Sequence, residues 1–165
     1  MAALCILQGG TMKLIIAEKP SVALSIAKVV GAKSRKDGYA EGNGYVVSWC
    51  VGHLIQMASP DKYDEKYAKW NLKDLPILPN DFKYEVSKNT KKQYGIIKKL
   101  LNLKEVDTVV NACDAGREGE LIFRLVYEQA QCTKPIKRLW ISSMEDEAIR
   151  KGIENLESGK DFEDL

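Results

Sequence analysis

The sequence holds a single histidine, His53, and no Cys-x-x-Cys pair; its four cysteines, Cys5, Cys50, Cys113 and Cys132, are widely scattered. This usage argues against a zinc site and against a disulfide framework, and fits reduced thiols in a cytoplasmic protein. No apolar run approaches the roughly 18 residues of a membrane span, so no membrane partner is expected. The opening Met1–Leu7 stretch is apolar but lacks the basic start and the length of a signal peptide. Neither sign of charge dominates: 25 Lys and Arg face 23 Asp and Glu, a formal net charge of +2. The totals therefore announce no nucleic-acid partner. Internal repeats and low-complexity segments are absent, as are the Gly-x-Gly-x-x-Gly and Walker A patterns of nucleotide-binding loops.

What is present describes one ordinary domain. A length of 165 residues, 45% hydrophobic and 29% charged, allows one real core. Residues 1–11 read as a disordered leader, 12–157 as the domain, and 158–165 as the start of a linker to further domains. Lys13–Ala17 is a continuous apolar run, the pattern of a strand buried on both faces. Pro20 opens a helix and Gly31 ends it. Residues 35–51 read as a hairpin turning at Asn43-Gly44. Residues 52–81 read as a long loop with a short helix near 62–68, packed down by Tyr63, Tyr67 and Trp70. Further strands are expected at 82–86, 106–113 and 138–141. Helices are expected at 90–101, at 118–130 carrying Leu121, Ile122, Leu125 and Val126, and at 145–156 with Ala148, Ile149 and Ile153 inward. Trp49, Trp70 and Trp140 read as core or interface residues. Strands alternating with helices imply an α/β fold: an open, mostly parallel sheet with helices on both faces.

Two strand ends carry unusual chemistry. The first apolar strand ends on Glu18, and the strand at 106–113 ends on Asp114, in Asp-Ala-Gly-Arg-Glu-Gly-Glu. Ligands of parallel sheets gather outside the carboxyl ends of strands, where these acids would converge, with Glu118 joining from a helix start. Clustered carboxylates repel unless a cation or a proton intervenes, and all-oxygen ligands select a hard ion, Mg²⁺ before Zn²⁺. The alternative is that Asp114 caps the helix while Glu118 and Glu120 favour its positive N-terminus; that leaves Glu18 and Arg117 unexplained. Lys19 reads either as a phosphate contact or as a plain cation beside Glu18. The lysine-rich stretch 83–104 reads as a solvated helix face.

Ile15–Ser21, Ser48–Leu54, Lys69-Trp70, Leu75-Pro76, Asp114–Glu120 and Arg138–Ser143 occur in an order that resembles the Toprim domain of bacterial type IA DNA topoisomerases, of the topoisomerase III kind. The resemblance runs from about Met12 to the end. It implies a Rossmann-like Toprim fold in which Glu18 is the first signature acid, Asp114 begins the Asp-x-Asp signature and Glu118 matches the acid after Arg117. Where the broader pattern has a second aspartate this chain has Gly116, which leaves a single Mg²⁺ with Glu120 or water as an extra ligand.

The resemblance further implies an isomerase activity on single-stranded DNA. A tyrosine in another domain cleaves the strand, while Glu18, Lys19 and Arg117 attend the scissile phosphate and Lys19, His53 and Arg117 contact DNA. None of the seven tyrosines sits in the context of that nucleophile, so these residues alone are expected to be inactive. Two rival readings stand beside this one: another Toprim enzyme, primase or nuclease, and a stand-alone nucleic-acid-binding module.

Overall fold

A computed structural model describes residues 11–165 of the chain; most of the expected leader lies outside the described residues. In chain order the regular elements are β1 (Met12–Ala17), α1 (Pro20–Val30), β2 (Ser34–Lys36), β3 (Tyr39–Gly42), β4 (Tyr45–Trp49), β5 (Ile55–Met57), β6 (Tyr84–Val86), α2 (Lys91–Leu101), β7 (Val106–Ala112), α3 (Arg117–Gln129), β8 (Ile136–Arg138), α4 (Asp146–Glu154) and β9 (Glu157–Ser158).

Strand β1 is central because it has nothing polar to show to water: Leu14, Ile15, Ile16 and Ala17 are all fully buried. It pairs in parallel with β4 on one side and β7 on the other. The main sheet has 7 strands in the order β2-β3-β4-β1-β7-β8-β9. Its centre, β4 to β8, is parallel, and its edges are closed by antiparallel pairs. Alternate residues of β1 serve two cores. Leu14 and Ile16 pack with Tyr94, Ile97 and Leu101 of α2 and Ile122, Phe123 and Val126 of α3. Ile15 and Ala17 pack with Ala23, Ile26 and Val30 of α1 and Ile149 of α4. Helices thus cover both faces, as the alternation of elements requires.

Local signals explain the joints. Pro20 sits in the first turn of α1, and Gly31 ends it at φ 80, its N–H returning to Ala27 and Lys28. Asn43 at φ 52 and Gly44 at φ 77 both take the left-handed conformation of a tight hairpin turn between β3 and β4.

Several expectations are corrected. Instead of one helix near 62–68 there are three 3₁₀ turns, Pro60–Lys62, Glu65–Ala68 and Leu72–Asp74. Trp70 is not packed down but 84% exposed. The strand expected at 138–141 runs instead over Ile136–Arg138. In α3, Leu121 is 49% exposed, whereas Phe123 is fully buried. Beyond α4, β9 pairs with β8 at the sheet edge and a 3₁₀ turn follows, Gly159–Phe162.

Candidate functional site

Strands β1 and β7 lie side by side with Ala17 opposite Ala112. The chain leaves β1 through Glu18 and Lys19 and leaves β7 through Cys113 and Asp114, so these groups meet at the carboxyl edge of the sheet. Lys19 Nζ lies 3.1 Å from Asp114 Oδ2 and 3.6 Å from Glu18 Oε1. Its hydrogen bond to Asp114, and then the charges of Asp114 and Glu18, raise the pKa of the ammonium above its ordinary value. Glu18 is the sheltered member, with 14% of its side chain exposed against 49% for Asp114. A single cation therefore already bridges the two carboxylates.

The other expected acids are placed differently. Glu118, in the first turn of α3, is exposed and pairs with His53, whose Nε2 lies 3.2 Å from Glu118 Oε1. His53 reaches it because Cys50 N–H donates to Ala17 O at 2.8 Å, which holds the loop after β4 beside the end of β1. Arg117 is exposed at the start of α3. Among the described residues no three His, Cys, Asp or Glu side chains are grouped closely enough to hold a metal ion. The two acids that do converge, Glu18 and Asp114, fit a hard cation by their all-oxygen chemistry.

Glu120, expected as an extra ligand, is 4% exposed and is turned into the domain. Its Oε2 accepts from Asn111 Nδ2 at 2.8 Å and its Oε1 from Arg124 Nε at 2.9 Å. A carboxylate so surrounded by donors is a structural counter-charge, withdrawn from any ligand at the edge. Opposite it lies Arg138, fully buried, which pattern reading missed. Arg138 Nη1 donates to the carbonyls of Asn111, Cys113 and Leu139 at 3.1, 2.8 and 2.9 Å, and Nη2 donates to Asp114 O at 2.9 Å. Its Nε is 3.1 Å from Glu120 Oε2 but is misaligned, and is left without a hydrogen bond; that contact is purely electrostatic. One guanidinium thus gathers the carbonyls at the end of β7 and sets where Asp114 emerges. Burial, its largest influence, pulls the Arg138 pKa down while Glu120 pushes it back up. The available signal was an arginine opening the apolar run Arg138–Ile141.

The glycines of Asp114–Glu120 differ in kind. Gly116 has φ 165, extended backbone open to any residue, and a Cβ there would meet nothing within 4 Å. A Cβ on Gly119 would strike the carbonyl oxygen of Asp114. Among the tyrosines, Tyr127 donates its hydroxyl to Lys134 O at 2.6 Å, and burial pushes its pKa up to about 12; it is a committed structural group. Cys50, Cys113 and Cys132 are free and buried. The Cys113 thiol is pushed up, first by its hydrogen bond with Cys50 and then by burial, which leaves it unreactive. No helix among the described residues is long and apolar enough to cross a membrane.

Comparison with known proteins identifies the family and the fold. A family model described as the Toprim domain matches residues 13–144. The DNA topoisomerase 3 of Bacillus thuringiensis is 50% identical over 151 residues, covering 92% of this chain and 21% of the relative. Those of Bacillus licheniformis and Shouchella clausii are 49% and 48% identical with like coverage. The chain thus spans about 21% of the length of the curated relatives it matches. Full-length topoisomerase I from Thermotoga maritima shares the fold with a TM-score of 0.56 at 19% identity, over 88% of this chain and 21% of that one. The chain belongs to the Toprim domain family, of the kind found in topoisomerase III-like proteins.

Proposed function

We propose that this chain is the phosphate-handling Toprim domain of a topoisomerase III, serving cleavage and religation of single-stranded DNA by a tyrosine outside these residues. The observation that carries the reading is the meeting of Glu18, Lys19 and Asp114 at the ends of two adjacent parallel strands, where open α/β sheets bind ligands. Glu18 and Asp114 would hold Mg²⁺, and Glu118, paired with His53, would have to leave that partner to add a carboxylate. Mg²⁺, when bound, supplies positive charge opposite the phosphate oxygens. Lys19, with 55% of its side chain exposed, exchanges Asp114 for a phosphate oxygen. Arg117 presents a second cation at the start of α3, where backbone N–H groups also favour an anion. Glu18, sheltered from water, accepts and returns the proton of the 3′ oxygen. His53 contacts the DNA from the loop after β4.

The test needs the missing nucleophile. The chain alone is expected to form no covalent adduct with single-stranded DNA on a denaturing gel and to relax no plasmid. Grafted in place of the matching part of the Bacillus thuringiensis relative, it should do both in Mg²⁺. Glu18→Ala in that graft should slow relaxation by about 10²-fold or more, the contribution of a positioned acid–base group. An adduct from the 165 residues alone would overturn the roles. Mg²⁺-dependent cutting without an adduct would favour a nuclease.

Gly116 supplies a second test. Because its backbone is extended and unobstructed, Gly116→Asp should fold normally and add a carboxylate near Asp114. Calorimetry should then record Mg²⁺ affinity rising on the order of tenfold, since one more charged oxygen ligand acts directly on a divalent ion. Unchanged affinity would remove the metal from this edge.

A further inference from the structure

The positive charge of this chain is not spread evenly. Residues 87–104, on and around α2, carry six lysines and no acid, whereas the whole chain carries only +2. With these six set aside, the remainder is net −4. Among the described residues only one of the six, Lys92, lies beside an acid, Asp37 at 2.8 Å. An ordinary solvated helix face mixes both signs and pairs them along the helix; this one does not.

Helix geometry sorts these lysines onto one side. Tyr94, Ile97, Leu100 and Leu101 are buried in the core, which leaves the opposite side to Lys91, Lys92, Lys98 and Lys99, all exposed. At 3.6 residues per turn the four lie within an arc of about 120°, with Gly95 at its centre. Glycine weakens a helix interior, and nothing local requires one here: a Cβ on Gly95 would meet nothing within 4 Å. Its effect is a bare strip of backbone between two lysine pairs, open to close approach. The pairs are separated by about 10 Å along the axis. That matches the ~12 Å width of a duplex major groove, so each pair reaches the phosphates of one strand. Lys88 and Lys104 extend the row at its two ends.

Chemistry separates a duplex from other anionic partners. No large apolar side chain between 87 and 104 is exposed, and Tyr94 is 8% exposed. A single strand is held by stacking its bases on aromatic rings, and protein interfaces are rich in aromatics and poor in lysine. Lysines without aromatics suit backbone neutralisation alone. The row also has a direction. Ser87 N donates to Leu54 O at 2.9 Å, which sets the start of α2 beside the loop bearing His53. At the other end, Asn102 Nδ2 donates to Ala130 O at 3.5 Å, just past the end of α3. The lysines thus run along the face of the domain, away from Glu18 and Asp114.

We propose that the lysine face of α2 is a second nucleic-acid site, separate from the Glu18–Asp114 edge, that holds the backbone of double-stranded DNA without regard to sequence. Fluorescence anisotropy of the chain with a labelled duplex of about two turns, in EDTA, tests it. The logarithm of affinity should fall with that of salt at a slope of about −4.5, from five lysines without an acidic partner. Lys91→Gln/Lys98→Gln should flatten that slope by about 2 and weaken binding alike for duplexes of different sequence. If this variant does not fold, Lys99→Gln/Lys104→Gln, at equally exposed positions, carries the same test. Gly95→Glu should raise the melting temperature, since glutamate favours a helix over glycine. It should nonetheless lower duplex affinity on the order of tenfold, by pairing with Lys91 and Lys99 and repelling phosphate. No binding at about 50 mM salt, an unchanged slope in the lysine variants, or unchanged affinity in Gly95→Glu would overturn the proposal. So would tighter binding of a single strand of equal length, which would mean a stacking site. Displacement of the duplex by polyglutamate of equal charge would also overturn it, in favour of an acidic protein. Because EDTA keeps the Glu18–Asp114 edge free of metal throughout, failure of the function proposed above leaves this result untouched.

Discussion

Arg138→Met should destabilise the domain by about 3–5 kcal/mol, because it breaks a buried ion pair and leaves buried carbonyls without their donor. The side chain is fully buried, so no water replaces what it donates. Its loss takes from Glu120 one of two opposing charges, the one 3.1 Å away, and leaves it Asn111 and Arg124. It also strands the carbonyl of Asp114, which takes its bond from Nη2. The methionine stem keeps the apolar volume, so the effect isolates the charge and its hydrogen bonds. Against a total stability of ~5–15 kcal/mol for a domain of this size, this is a large fraction. Urea denaturation followed by circular dichroism measures it, and a change below about 1 kcal/mol would show that the carbonyls are satisfied otherwise. Glu120→Gln combined with Arg138→Met should cost less than the sum of the two, because each removes what the other leaves unpaired. Arg138 also faces Trp140 at 4.8 Å and Phe162 at 5.9 Å from the ring centroids. The charge removed is therefore also what the C-terminal turn packs upon.

This buried pair marks the limit of what was legible in the chain. β1, α1 and the hairpin turn were readable because their causes are local: an unbroken apolar run, a proline and a glycine at the helix ends, and an Asn-Gly dipeptide. Strand β8 was misplaced because Leu139 and Trp140 look like its continuation. Trp140 is apolar for another reason, stacking on Phe162 with centroids 4.9 Å apart. In α3, Leu121 and Glu120 exchange the roles that hydrophobicity assigns them, since Arg124 one turn along the helix, with Arg138 and Asn111 from other elements, makes the acid the better buried residue. Local pattern contains the first of these partners and not the other two. Glu18 and Asp114 were legible as a pair because both strand ends are visible in the sequence and parallel pairing brings them to one edge. The orientation of Glu118 towards His53 was not, because spacing along a helix fixes proximity and leaves direction open.

Gly119→Ala should disable the site, while Gly116→Ala, three residues earlier in the same motif, should be nearly silent. At Gly119 an added Cβ would overlap the carbonyl oxygen of Asp114 and stand 2.9 and 3.0 Å from its N and C atoms. These are backbone atoms, so no rotamer change relieves the clash. Asp114 has little freedom to retreat, because its carbonyl accepts from Arg138 at 2.9 Å. Helix α3 is no freer, being anchored by Glu120 and by fully buried Phe123 and Val126. The strain therefore falls on the joint between β7 and α3. Forcing an extra carbon into such packing costs about 1–3 kcal/mol, enough to lower the melting temperature while the domain still folds. The functional loss should be larger, since displacing a positioning group by about 1 Å costs on the order of 10²-fold in rate. Relaxation by the graft should accordingly fall by that factor in Gly119→Ala and hold within about twofold in Gly116→Ala, whose Cβ meets nothing within 4 Å. If both variants relax plasmid at the parent rate, Asp114 is not held where the reaction needs it, and the edge formed by Glu18, Lys19 and Asp114 is not the site.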